Sequence, residues 1–103
     1  MRVKVRILDL AEADLLSGFQ FYERKSPGVG WYFLDTLYGE IESLHLYAGI
    51  HRKSAGFYRM LSRRFPFAIY YRTSEDEIQV WRVLDCRRNP DWVKEELRKT
   101  NPD

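Results

Sequence analysis

Residues 61–72 read LSRRFPFAIYYR, placing Arg63, Arg64 and Arg72 among the rings of Phe65, Phe67, Tyr70 and Tyr71 with no acid between them. The bias extends further. No acid falls between Glu42 and Glu75, whereas Arg52, Lys53, Arg59, Arg63, Arg64 and Arg72 do, and Arg82, Arg87 and Arg88 follow. A guanidinium is a planar fork that matches phosphate or carboxylate bidentately and stays charged at any physiological pH. The chemistry on offer is therefore anion binding rather than proton transfer. Two readings compete: a surface that grips phosphate or acidic protein, and a strand whose outer face is merely basic. The aromatic rings could stack on bases as in single-strand binders. Strand alternation would bury about half of them, which makes core packing their default role. Arginine outnumbers lysine twelve to five. Codon bias in a GC-rich genome also raises that ratio, but it does not empty one stretch of acids.

Groups able to move protons or donate electrons are few. Asp85 reads as a catalytic base or, with more support, as the partner of a neighbouring arginine. Cys86 is the lone cysteine, so it has no internal disulfide partner and no CxxC mate. His45 and His51 fall on a helix end and in a loop, which gives Cys86 no evident activating base and makes a buried, inert thiol the expectation. Two histidines and one cysteine at these spacings are not a metal site, and nothing calls for a cofactor. Leu10, Leu15, Leu16, Trp31 and Tyr32 could line an apolar groove for a partner, or belong to the core.

These residues need a scaffold. A chain of 103 residues, 45% hydrophobic and 16% aromatic, is one domain with one core in which large rings do much of the filling. The net charge of +2 conceals an asymmetry. Residues 1–50 hold five bases (Arg2, Lys4, Arg6, Arg24, Lys25) against seven acids (Asp9, Glu12, Asp14, Glu23, Asp35, Glu40, Glu42). No apolar run approaches the ~20 residues of a membrane span, and the N-terminus lacks a secretory apolar region. Together with the single cysteine, this predicts a soluble cytoplasmic protein with no membrane partner.

The pattern predicts β-α-α-β-β-β-α. Residues 2–8 alternate Val3, Val5 and Ile7 with Arg2, Lys4 and Arg6, a half-buried strand. Asp9 and Glu12 resemble a capping box. They open a helix whose apolar face carries Ala11, Leu15, Phe19 and Tyr22, weakened at Gly18. KSPGVG (25–30) breaks it. A second helix runs from about 30 to 47 with the stripe Phe33, Leu37, Ile41 and Leu44, so the two form an antiparallel hairpin. Residues 48–56 read as a loop. Residues 57–64 and 66–73 read as strands, with Pro66 at their junction. Residues 78–87 make a third strand, with Val80 and Leu84 on one face and Trp81 and Val83 on the other. Asp91 caps a final helix over 91–99. The expected fold class is α+β: a helical hairpin packed on a small, mainly antiparallel sheet.

In this order the motifs resemble the RelE/ParE superfamily of type II toxins, the plasmid stabilisation proteins. AEADLLSGFQFYERKSPGVGWYFLD (11–35) resembles its hairpin signature. FYRMLSRRFPFAIYYR (57–72) resembles its basic strand pair with a Phe-Pro-aromatic turn, and IQVWRVLDCRRNPDWV (78–93) its strand ending in a double arginine before the last helix. AGIHRKSAG (48–56) is the lead into the strands. The resemblance spans nearly the whole chain and implies a toxin whose partner is a cognate antitoxin that folds a C-terminal segment onto it. One branch of the superfamily cleaves ribosome-bound mRNA, activating a ribose 2′-hydroxyl and stabilising the phosphate transition state with Lys and Arg. Arg59, Arg63 and Arg88 match its basic positions. Ala68 stands where that branch carries an arginine, and Trp92 is the one aromatic residue after Arg88, where that branch carries an acid–base Tyr or His. Asp85-Cys86 replaces a His-Gly pair common in ParE-like relatives. The resemblance thus favours the ParE-like, binding branch, whose implied target is DNA gyrase. Arg59, Arg63, Arg64, Arg72, Arg87 and Arg88 are the expected target- or antitoxin-binding residues. The alternatives are the mRNA endonuclease, with ribosome and message as partners, and a degenerate member without toxicity.

Overall fold

The structure is a computed structural model and describes residues 3–102. Arg2, the expected start of the first strand, lies outside the described residues. The elements run β1 (Lys4–Ile7), α1 (Asp9–Lys25), α2 (Val29–Glu42), α3 (Leu44–Tyr47), β2 (Arg52–Ser54), β3 (Phe57–Leu61), β4 (Phe67–Thr73), β5 (Glu77–Asp85) and α4 (Pro90–Thr100). The strands form one mixed sheet in the order β1-β5-β4-β3-β2. β1 runs parallel to β5, and every other neighbouring pair is antiparallel.

The expected helical hairpin packs on one face of this sheet. Ala11, Leu15, Phe33, Leu37, Ile41 and Leu44 from the helices meet Met60, Phe67, Ile69, Tyr71, Ile78, Val80 and Val83 from the strands. Contacts from Gly18 to Phe33 and from Glu12 to Tyr38 show the helices running antiparallel. A Cβ at Gly18 would lie 2.5 Å from the Phe33 ring, so the residue that weakens α1 as a helix is the one that lets α2 approach it. Glu23 fixes the turn. Its carboxylate accepts N–H bonds from Gly28 at 3.0 and 3.1 Å and from Gly30 at 2.9 Å, satisfying donors at the start of α2.

α4 covers the opposite face, where Leu97 joins Phe57, Ala68, Tyr70 and Leu84, flanked by Trp81, Trp92 and Val93. Its cap is Asn89 rather than the expected Asp91. Asn89 Oδ1 accepts the Asp91 N–H at 2.8 Å, and Pro90 occupies the first turn, where its missing N–H does no harm.

Several sequence expectations are corrected. No capping box opens α1. Leu8 still donates its N–H to Val80 in the sheet, and the helix begins directly at Asp9. The second helix is interrupted at Ser43, whose hydroxyl donates to the Glu40 carbonyl at 2.6 Å and competes with the helical ladder. Part of the loop 48–56 is the edge strand β2. It pairs with β3 across a tight turn in which Ala55 and Gly56 both take positive φ. β3 ends at Leu61 and β5 at Asp85, so Arg63, Arg64, Cys86 and Arg87 lie in turns rather than strands.

The faces of β5 are also redistributed. Tyr70 pairs with Arg82 and Tyr71 with Val80, leaving Trp81 unmatched as a β-bulge. The extra residue shifts the alternation, so Val80 and Val83 share the hairpin face while Trp81 and Leu84 share the α4 face.

Candidate functional site

Alternation along β3 and β4 decides where the basic residues point. Tyr58 and Met60 face the hairpin, and Phe57 faces α4. Arg59 therefore also faces α4, where its Nε donates to Tyr70 Oη at 3.1 Å and a terminal nitrogen approaches Cys86 Sγ at 3.6 Å. At the C-terminal end of β5 the double arginine splits. Arg88 lies over the Trp92 ring of α4, 3.9 Å from its centroid. Arg87 turns to the other side, toward Phe21 of α1, and forks onto Asp85 at 2.8 and 3.1 Å.

Arg59 and Arg88 line one pocket of about 250 Å³ together with Lys94, Tyr70, Asp85 and Cys86. Lys94 was not anticipated, although Pro90, Val93, Lys94 and Leu97 fall at helical spacing behind the double arginine and all line this pocket. The other expected binding residues lie elsewhere. Arg63 and Arg64 sit on the hairpin side of the β3–β4 turn. The Arg63 N–H donates to Glu40 at 2.8 Å, and Arg64 donates to Tyr32 Oη at 2.8 Å. Arg72 is half-buried, with its guanidinium 4.6 Å from the Phe57 ring centroid and 2.7 Å from Asn101 Oδ1. It packs the α4 face together and contributes nothing to the pocket.

The pocket holds fixed positive charge beside groups ill-suited to proton transfer near neutrality. Burial alone would raise the Asp85 carboxyl. The side-chain and backbone hydrogen bonds from Arg87 outweigh it and hold the group below its ordinary range, a weak base already engaged. The Cys86 thiol is pushed up by burial of its sulfur against the pocket, more than the Arg59 guanidinium lowers it. The residue as a whole is exposed, not buried as expected from the sequence, yet its thiol is no thiolate at neutral pH. Trp92 has no titratable proton. Such a pocket can bind a phosphate or carboxylate from two sides, with Arg59 fixed by Tyr70 and Arg88 by its aromatic bed. Among the described residues, no three His, Cys, Asp or Glu side chains cluster as metal ligands would, and no helix is long and apolar enough to cross a membrane.

The geometry has a parallel among solved structures. A chain of the chromosomal ParDE TA (toxin–antitoxin) system from P. aeruginosa matches with a TM-score of 0.73 and 22% identity, over 80% of this chain and 94% of that one. No protein-family model and no curated protein matches this chain. The α+β fold expected from the sequence is thus the fold of a chain from a ParDE system.

Proposed function

We propose that this chain is the toxin component of a type II toxin–antitoxin pair, of ParE-like kind, that acts by binding DNA gyrase and is masked by a cognate antitoxin. Its fold likeness to a ParDE chain supports the toxin reading. The choice of binding over catalysis rests on one observation: the Arg59–Arg88 pocket sets permanent cations beside a carboxylate held by Arg87 and a protonated thiol, and no histidine lines it. On this reading Arg59, Arg88 and Lys94 grip an acidic element of the target, while Arg63 and Arg64 act on a separate face.

The meeting of Arg59 and Arg88 in one pocket is the observation that favours the mRNA endonuclease, which also needs clustered cations around a phosphate. Induction in a bacterial host separates the two. Inhibited supercoiling with intact message supports the gyrase reading, and cleavage of ribosome-bound message with normal supercoiling replaces it. A soluble, folded chain with neither effect is a degenerate member.

A further inference from the structure

Arg52 of β2 and Arg59 of β3 stand directly opposite each other in the antiparallel register. Residues so paired share a face of the sheet, and like charges placed there repel and destabilise the pair. Arg59 faces α4, so Arg52 does too. The Arg59 side chain is tied to Tyr70, whereas Arg52 is exposed at the sheet edge. Packing does not call for a second arginine here, because all three residues of β2 are exposed. A space of about 470 Å³ opens beside the pair, lined by both arginines, Lys53 and Ser54. It adjoins the Arg59–Arg88 pocket, since Ser54 and Arg59 line both. Lys94, Arg88, Arg59 and Arg52 thus form one row of cations across the α4 side of the sheet. Asp85 is the one acid among the described residues that line either space, and Arg87 already holds both of its oxygens.

We propose that this row binds the phosphate backbone of duplex DNA without reading its bases. From β5 to β2 is three strand spacings, about 14 Å. One DNA strand rises about 3.4 Å per phosphate, so that span sets about four phosphates against the four cations. A phosphate seated between Arg52 and Arg59 relieves their mutual repulsion, which gives the like-charge pair a use. The rings beside the row are already engaged. Trp92 lies 3.9 Å beneath Arg88, Tyr70 is buried and bonded to Arg59, and Tyr58 lies under Lys53 on the hairpin side. Unpaired bases bind by stacking on open rings, so a single strand gains little here. A duplex keeps its bases stacked on one another and presents only phosphates, and contacts to phosphate hold a protein on DNA whatever the sequence. The inference rests on the proposed function only for what brings the duplex: it names the acidic element of the target as the DNA on which gyrase works.

The test is fluorescence anisotropy of the full chain, without gyrase, on a short labelled duplex of mixed sequence. Four phosphate contacts give a slope of about −3.6 in log K against log salt, a loss of roughly 150-fold between about 50 and 200 mM. Arg52→Ala with Lys94→Ala removes the two ends of the row and should halve that slope, to about −1.8. Both side chains are exposed, and glutamine at both positions serves should the alanine variant fail to fold. Arg24→Ala with Lys25→Ala removes the same charge from α1 and should leave the slope unchanged. An unchanged slope in the first variant, or an equal loss in the second, overturns the inference. Tighter binding of oligouridylate overturns it in favour of single-stranded RNA, and tighter binding of a polyglutamate peptide in favour of an acidic protein. A chain that binds the duplex through this row but leaves supercoiling uninhibited sinks the gyrase reading and leaves the DNA assignment standing. A chain that inhibits supercoiling without binding the duplex does the reverse.

Discussion

Arg82 of β5 forks onto Asp14 of α1, Nε to Oδ2 at 2.7 Å and the second nitrogen to Oδ1 at 3.0 Å, with both side chains largely withdrawn from water. Asp14 also accepts the Val83 N–H at 2.9 Å, and Arg82 reaches Glu96 and Thr100 of α4 at 3.2 and 3.0 Å. One cation thus joins the hairpin, the sheet and the last helix. Removing one partner leaves an uncompensated buried charge, so Arg82→Met should destabilise by roughly 3–5 kcal/mol. Arg82→Met with Asp14→Leu should recover part of that loss. Urea unfolding of the wild type and both variants checks this, and a double variant less stable than Arg82→Met contradicts it.

The glycines of the hairpin should respond in opposite directions. A Cβ at Gly18 would collide with the Phe33 ring at 2.5 Å, and one at Gly30 with the Phe19 carbonyl at 2.7 Å. Overpacking of this kind costs about 1–3 kcal/mol, more than the ~1 kcal/mol that alanine gains over glycine in a helix. Gly39 meets no such contact, so Gly39→Ala should stabilise by up to ~1 kcal/mol. Thermal melts of the three alanine variants should therefore fall, fall and rise.

The helical stripe Ala11, Leu15, Phe33, Leu37, Ile41 and Leu44 was legible because burial enforces the helical period on both helices. The faces of β5 were not. A bulge at Trp81 breaks strict alternation, and no local signal marks it; the pairing of Tyr70 with Arg82 and of Tyr71 with Val80 is a tertiary fact. β2 was equally hidden, since its three residues are all exposed and carry no apolar alternation. For the site, the sequence supplied Arg59 and Arg88 but grouped them with Arg63, Arg64, Arg72 and Arg87. Only the parity of β3 and the turn after β5 separate the pocket pair from the others.

His51 and Tyr71 should give the fold a pH dependence at both ends. Tyr71 Oη accepts the Gly49 N–H at 2.9 Å and shares a second hydrogen bond with His51 Nδ1. Burial lowers the His51 pKa below its ordinary 6.5 and raises that of Tyr71 above its ordinary 10.0. The folded chain thus favours the neutral form of each. The histidine contribution is complete above pH 6.5 and fades as pH falls through its folded value. The tyrosine contribution is complete below pH 10 and fades as pH rises through its folded value. Melting temperatures across that range should fall at both ends, and His51→Phe should flatten the acid side alone. An unchanged acid slope in the variant contradicts the assignment.

Arg59 and Arg88 provide the test of what the pocket does. Both are fixed before any ligand arrives, Arg59 by Tyr70 and Arg88 over Trp92, so little side-chain entropy is lost when they grip an anion. Charge-assisted hydrogen bonds to a desolvated anion contribute about 1.5–3 kcal/mol each. Arg59→Ala and Arg88→Ala should each weaken target binding by roughly tenfold to a hundredfold, while Arg72→Ala, which removes a cation packed on Phe57, should lower stability instead. If the chain binds gyrase, both pocket variants relieve inhibition of supercoiling and growth, and message stays intact throughout. Lysine at either position keeps the charge but loses the fork, so Arg88→Lys should restore binding only in part. An endonuclease would behave differently. Arginine stabilises charge but is a poor general base, and loss of a positioned acid–base group costs on the order of 10²–10⁴ in rate. Cleavage by this pocket should therefore be slow unless Cys86 gives up its proton or Asp85 accepts one, and Cys86→Ser and Asp85→Asn would then change its pH profile. Cleavage of ribosome-bound message that disappears in Arg88→Ala, with supercoiling normal throughout, would transfer the pocket from target binding to catalysis.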